Sequence, residues 1–470
     1  MLRVPVLSKS GKPLMPTKPS RARRWLRDGK AKVVHNDLEC FAIQLTFETQ
    51  ENTQPIAMGI DPGKCYSGIG VQSSLFTLWM GHLVLPFKTV KERMELRRVM
   101  RRARRGRRIN RKLPYSKRCH RQARFDNRRQ GKLPPSIRAN KQLELRVVKE
   151  LFKLFPISAI HYELVMADVD KTSGRKSARS GIGFSPVMVG QRQMLNWLSK
   201  LAPVVTHKGW QRDGNGTSQL RQWLGLAKDK KNKANQTPAT HAVDGVTLAA
   251  FEFTRWQEWH SDNAKHGDWS GYVQITPAPF AVIRRPPISR RQLHLCVPSK
   301  GGKRRKYGGT VTRHGFSKGD KVIAEKAGKT YVGWCSGDTE RQVSVSDANW
   351  KRLGQFTASK VQLLQRSTGL IVRRQAKSKC RAFNWIVKSP LIERVDLTSI
   401  PLHPASLRVE SHAKYDEFFH ETFTILLAHA GAFHPTKSTG VDRTFDGIVN
   451  PGFGVKLGLS TGLAIPCPQF

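Results

Sequence analysis

Acidic residues are scarce in this chain: 34 Asp and Glu stand against 82 Lys and Arg over 470 residues, a formal net charge of +48. So large an excess excludes a self-compensated surface and points to a polyanionic partner. Long apolar runs are missing as well. None approaches the roughly 18 residues of a membrane span, and the opening MLRVPVLSKSGKP lacks the apolar stretch of a secretory leader. No membrane partner is expected, which leaves nucleic acid. The seven cysteines, Cys40, Cys65, Cys119, Cys296, Cys335, Cys380 and Cys467, include no CxxC pair. That spacing excludes a zinc ribbon and a disulfide framework, so no zinc is expected and reduced thiols fit a cytoplasmic, nucleoid-associated setting. There is no internal repeat.

What is present begins with a core. Hydrophobic residues make up 39% of the chain, enough for at least one sizeable core within two to four domains. The first 50 residues read as short elements: an apolar RVPVLS, a turn at SGKPLMP, and a helix in PSRARRWLRDGKAKVV capped by Ser20 and ended by Gly29. A strand follows at CFAIQLTF. From Pro55 come two strand-like runs, IAMGIDPGKCYSGIGVQSS and SLFTLWMGHLVL, punctuated by Gly63 and Gly68.

Lys88 to Leu113 has helix formers throughout, only Gly106 as a weak breaker, and a thin apolar stripe of Leu96, Met100 and Ala103 among Arg and Lys. Such a helix has no core to join. Residues 114–140 read as a basic extended arm. A helix with Leu143, Val147, Leu151 and Leu154 in register leads to a short strand, Ile157 to Glu163. The helix VMVGQRQMLNWLSKLA, the strand PVVTHKGW and the helix TSQLRQWLGLAKD then indicate an α/β layer. TPATHAVDGVTLAAFEF starts another helix, with Thr237 or Thr240 near its N-terminus. Residues 256–289 read as a connector, and GGKRRKYGGTVTRHGFSKGDKVIAEKAGKTYVGWCSG alternates short β runs with Gly turns, the pattern of a small barrel or curled sheet.

Three carboxylates stand at element ends: Asp61, Glu163 and Asp244, the last three residues beyond His241. Phosphodiester hydrolysis by two Mg²⁺ ions needs such a set of oxygen ligands, and His241, on the Asp244 face of a helix, can orient or deprotonate a water. Each residue has a plainer reading. Asp61 can be the turn acid of a DPG loop, Asp168 or Asp170 competes with Glu163, and His241 with Asp244 can form a helix cap.

In order along the chain, GKPLMPTKPSRARRWLRDGKAKVV, GIDPGKCYSGIGV, the Arg-rich helix, ARFDNRRQGKLPPSIRAN, IHYELVMAD, RQWLGLAKD, THAVDG, SRRQLH and GGKRRKYGGTVTRHGFSKGD resemble the segments of the transposon-encoded IscB/IsrB group. The resemblance runs from the N-terminus to about Leu370. It implies an RNase H-like (RuvC) α/β core split by an Arg-rich bridge helix, plus a small C-terminal β-barrel-like domain. It departs from the group at Ala167, where an aromatic is common, and at Gly245, where Ala is usual.

By position it implies Asp61, Glu163 and Asp244 as Mg²⁺ ligands, with Mn²⁺ able to substitute, and His241 as the residue managing the nucleophilic water. The gap between Glu163 and His241 is too short for the HNH nuclease of IscB proteins and has no cysteine, so the chain resembles the IsrB type with one nuclease centre. The implied activity is an ωRNA-guided DNA nickase that cuts the displaced strand. The implied partners are the ωRNA guide and target double-stranded DNA with an adjacent motif, met by one protein per RNA. Two rivals stand beside it, a structure-specific RuvC-type endonuclease without a guide and a catalytically silent RNA-guided DNA-binding protein.

The implied organisation is a PLMP segment at 1–52, a first RuvC segment at 53–88, the bridge helix at 89–113 and the basic linker at 114–140. The second and third RuvC segments follow at 141–255, the connector at 256–289 and the β domain contacting ωRNA and the adjacent motif at 290–375. The extension 376–470 matches nothing; its histidines lack metal-ligand spacing. Candidate phosphate-binding residues are Arg97, Arg98, Arg101, Arg102, Arg104, Arg105, Arg107, Arg108 and Arg111 on the bridge helix. In the β domain they are Arg290, Arg291, Lys303, Arg304 and Arg305.

Overall fold

A computed structural model describes residues 2–106, 110–117, 133–166, 185–261, 264–288, 293–295, 305–307 and 309–374. All belong to one compact unit, Met1–Pro390; a second unit, Leu391–Phe470, lies outside the described residues, as does the whole extension 376–470. The described part is mixed α/β with several sheets.

Strands β1 (Val4–Leu7), β2 (Pro13–Thr17), β3 (Ala31–Val34) and β4 (Ala42–Leu45) form a first sheet in the order β2-β1-β4-β3. Helix α1 (Pro19–Arg27) buries Ala22 against it. The helix starts at Pro19, with Lys18 before it, rather than at Ser20, because proline at the first position already holds a helical φ. It stops where Gly29 turns to φ +67°.

The main sheet begins with an antiparallel meander of β5 (Ile56–Asp61), β6 (Tyr66–Ser73) and β7 (Thr77–Val84). After it come α2 (Phe87–Gly106), α3 (Pro135–Phe152), β8 (Ala159–Leu164), α4 (Pro186–Leu198), β9 (Val204–Lys208), α5 (Thr217–Trp223) and α6 (Val243–Ala250). A hairpin of β10 (Thr254–Ser261) and β11 (Ala264–Gly271) precedes β12 (Phe280–Arg284). The last strands are β13 (Leu293–Leu295), β14 (Arg305–Tyr307), β15 (Lys321–Lys326), β16 (Lys329–Asp338), β17 (Gln342–Ser346), β18 (Arg352–Thr357), β19 (Val361–Gln365) and β20 (Ile371–Arg374).

Seven strands make the main sheet, in the order β20-β12-β7-β6-β5-β8-β9. Strands β8, β9 and β12 are parallel to their inner neighbours, so β5, β7, β8, β9 and β12 end at the same edge. Strand β5 reads IAMGI without polar alternation because both its faces are covered, as in sheets with helices on either side. On one face, Leu143, Val147, Leu151, Met194 and Leu198 of α3 and α4 pack against Ile56, Met58, Ile60 and Ile69. Each such fully buried aliphatic side chain contributes about 1.5–3 kcal/mol. On the other face lies α6, with Val246 against Met80, Phe280 and Val282.

The region expected as a small barrel is an open sheet: β15 to β19 form five antiparallel strands in the order β18-β17-β16-β15-β19, and the described residues contain no closed barrel. Closure fails because the two edge strands, joined through Ala358–Lys360, each pair inward and not with one another. Residues 256–289 hold most of the β10–β11 hairpin and all of β12. The hairpin escaped a pattern reading because β10, beyond Thr254 and Trp256, is exposed on both faces and shows no apolar alternation. Helix α3 begins at Pro135, inside the stretch read as an arm.

Candidate functional site

Register sets which side chains share the α6 face. Asp61 is opposite Gly68, Gly68 is opposite His82, and Gly59 is opposite both Gly70 and His161. One step beyond the Ile60–Tyr162 pair, Asp61 and Glu163 project from the ends of adjacent parallel strands, and Glu163 is opposite His207 of β9. The C-terminal edge of parallel strands is where α/β sheets leave a crevice for ligands.

Helix α6 reaches this face because the strands beneath it carry glycine. A Cβ at Gly59 would stand 2.0 Å from the Gly245 carbonyl oxygen, one at Gly68 1.8 Å from the His241 carbonyl oxygen, and one at Gly245 2.6 Å from the Gly70 nitrogen. The glycine spacing of GIDPGKCYSGIGV is therefore a docking surface for the helix that carries Asp244. Gly245 fits the same contact.

His241 and Asp244 do not act from a common helical face. His241 lies in a π-helical turn, Pro238–Ala242, that precedes α6, and the turn redirects its ring. The ring faces Asp61, with Nδ1 3.7 Å from Oδ2, and stacks on Tyr66 at 5.6 Å between centroids. His241 Nε2 donates to the Lys233 carbonyl at 3.1 Å. A carbonyl only accepts, so Nε2 carries a proton, and Nδ1 is the ring atom turned toward Asp61. The cap reading also fails, since the N-cap residue of the turn is Thr237, with no side-chain cap hydrogen bond.

Asp244 is buried at 2% exposure. Its Oδ1 accepts from Arg221 Nη1 at 2.7 Å, and its Oδ2 accepts from the Lys228 ammonium. Arg221 is itself buried on α5 and also donates to Ser218 Oγ at 3.3 Å. A cavity of about 290 Å³ opens beside them, lined by Glu163, Gly209, Thr217, Arg221, Lys228 and Asp244 among others.

The acids feel one another. Burial, then the charges of Asp61 and Asp244, push the Glu163 carboxyl up to about 8. Burial acts to raise Asp61 too, but His241, Lys228 and Arg221 outweigh it and hold that carboxyl below its ordinary value. Burial acts to lower Lys228, and the charges of Asp61, Asp244 and Glu163 more than reverse it, so the ammonium stays protonated. His82, buried and bonded through Nδ1 to Thr240 Oγ1 at 3.3 Å, is driven down to about 3 by burial and by the positive side chains near it. It is neutral at physiological pH.

The donor set is three carboxylates, hard oxygen ligands suited to Mg²⁺. The Thr217 hydroxyl, buried on the cavity wall, makes no well-formed hydrogen bond. As they stand, however, no three His, Cys, Asp or Glu side chains among the described residues converge on one point.

Sequence reasoning singled out Asp61, Glu163, His241 and Asp244 and missed Arg221, Lys228, Tyr66 and His82. Arg221 carried one readable signal: it follows the buried Leu220 in a short amphipathic segment. On α2, Arg97 is half-buried while Arg98, Arg101 and Arg102 are exposed, and Arg98 pairs with Glu95. Leu96 and Val99 are also exposed, at 42% and 55%. Arg93 anchors the helix through the Pro287 and Ile288 carbonyls. Arg111 follows the described helix. Arg107, Arg108, Arg290, Arg291, Lys303 and Arg304 lie outside the described residues, as do the side chains of Arg104, Arg105 and Arg305 and the residues Ala167, Asp168 and Asp170. No helix among the described residues is long and apolar enough to cross a membrane.

Residues 4–184 match the model of a family described as RRXRR protein. Arg101 to Arg105, RRARR, has the arrangement that description spells. The matched stretch includes Asp61, the Arg-rich helix and Glu163 and stops short of His241 and Asp244. No curated protein matches the chain.

Proposed function

We propose that this chain is an RNA-guided DNA nickase of the IscB/IsrB kind, with an RNase H-like (RuvC) core whose single centre hydrolyses the displaced strand. One observation carries the reading: Asp61, Glu163 and Asp244 come from three distant segments to one face and one edge of a parallel-stranded array, close enough to shift one another's protonation. The RRXRR match and the arginine helix support the same reading, since a basic helix against a nuclease core suits a polyanion held by its phosphates.

In this reading Asp61, Glu163 and Asp244 hold Mg²⁺, which when bound supplies Lewis acidity toward the scissile phosphate and a more acidic water. His241, held through Nε2 by the Lys233 carbonyl, has Nδ1 on the Asp61 side and takes the proton of the attacking water. Asp61 then stabilises the imidazolium. Arg221 keeps Asp244 oriented. The exposed arginines of α2 grip RNA and heteroduplex phosphates, while base pairing reads sequence. Between α4 and the π-helical turn the described residues form only short elements, which suits one centre and one cut strand.

The test mixes protein, the structured RNA encoded beside its gene, and supercoiled target plasmid in Mg²⁺. Open circles should form only with matching RNA and vanish in Asp61→Ala. Nicking that ignores the RNA would overturn the guided reading in favour of a structure-specific endonuclease, and guide-dependent binding with no product in Mg²⁺ or Mn²⁺ would overturn the catalytic one.

A further inference from the structure

We propose that Lys228 is a resident cation of the carboxylate cluster, which a divalent ion must displace before the centre can be loaded. The inference rests on the nuclease reading above and adds a gate to it. Both oxygens of Asp244 are engaged, Oδ1 by Arg221 and Oδ2 by Lys228, so no metal can use Asp244 fully while both stay.

The two cations are not equivalent. Arg221 is buried, sits on a helix and has a second partner in Ser218. Lys228 lies in the loop beyond Gly225, its side chain is 25% exposed, and Asp244 is the one hydrogen-bond partner found for it among the described residues. A long ammonium side chain at the edge of a cavity can leave; a buried guanidinium that donates to both Asp244 and Ser218 cannot do so cheaply.

Charge gives the same answer. Arg221 and Lys228, both paired with Asp244, already offset most of the negative charge of the acids around them. One divalent ion added to that set makes it positive, and a second more so, which is unfavourable in a partly buried site. Release of Lys228 into the 290 Å³ cavity restores the balance and leaves the ammonium where an incoming phosphate approaches.

The experiment measures Mn²⁺ binding to the full chain without DNA, by titration calorimetry and by the EPR signal of free Mn²⁺. Lys228→Met should bind Mn²⁺ about tenfold tighter or more than the parent chain, and Lys228→Gln, which keeps a hydrogen bond to Asp244, should fall between. Equal or weaker binding in both overturns the proposal. A second measurement needs no substitution: acylation of Lys228, read by mass spectrometry, should rise severalfold on adding Mg²⁺, with exposed Lys149 of α3 as the unchanged control. Constant labelling at Lys228 overturns it equally. Loss of Mn²⁺ in Asp244→Asn without any gain in Lys228→Met would sink the gate alone; Mn²⁺ binding in no form of the protein would sink the metal centre with it.

Discussion

The two faces of the main sheet solve the same problem, a helix packed on buried strands, in opposite ways. On the α3 face the contact is made by large side chains, and its one buried charge pair is balanced: Lys141 donates to Glu144 at 2.7 Å and to the Tyr162 hydroxyl at 3.3 Å, and Ser67 donates to Glu144 at 2.6 Å. On the α6 face the contact is made by glycine backbone, and three acids, Asp61, Glu163 and Asp244, crowd together beside Arg221 and Lys228. The first face is closed and serves stability. The second crowds its acids so closely that they shift one another, and that crowding is what makes it a candidate site.

Three substitutions sharpen this contrast. The largest effect belongs to the glycine face. Gly68→Val puts a side chain into the His241 backbone and should cost more than about 3 kcal/mol, read as loss of the cooperative urea transition. A milder loss than that of Ile69→Ala would mean that α6 does not rest on the strands so closely. Next comes the balanced pair. Glu144→Gln leaves Lys141 charged and buried and should cost about 3–5 kcal/mol, while the double change Lys141→Met with Glu144→Leu should be nearly neutral. Equal losses in the single and double variants would refute the idea of a balanced pair.

The smallest effect has the opposite sign. Glu163, held up at about 8 by burial and its acidic neighbours, disfavours folding at pH 7.5, because its folded pKa lies above its unfolded one. Glu163→Gln should therefore stabilise the metal-free protein by at least about 1 kcal/mol at that pH, with the gain shrinking toward pH 4.5. Destabilisation at pH 7.5 would show that Glu163 is not crowded by burial and its acidic neighbours.

How much of this was legible follows from the same contrast. Asp61 stood out because a lone acid after the apolar run Ile56–Ile60 has no packing role, and Glu163 repeated that pattern. Asp244 was legible only with its neighbours. The pairing of His241 with Asp61 was not, because a π-helical turn changes the angle between residues that an α-helical spacing would place together. Lys228 and Arg221 were hidden by abundance: among 82 basic residues nothing local marks the two that fold inward. Strand β12 was missed because its partner β7 is some 200 residues away and its flanks read as a connector.

In the proposed function the acids of the α6 face cut one strand of guide-paired DNA. Its most direct measurement maps the cut by strand-specific primer extension on a target plasmid, with cognate RNA and Mg²⁺, for the parent chain, Asp61→Ala and Asp244→Asn. The account predicts a single set of breaks confined to the displaced strand, absent from both variants while RNA and target binding persist. Breaks on both strands, or breaks on the displaced strand that survive in either variant, would contradict it.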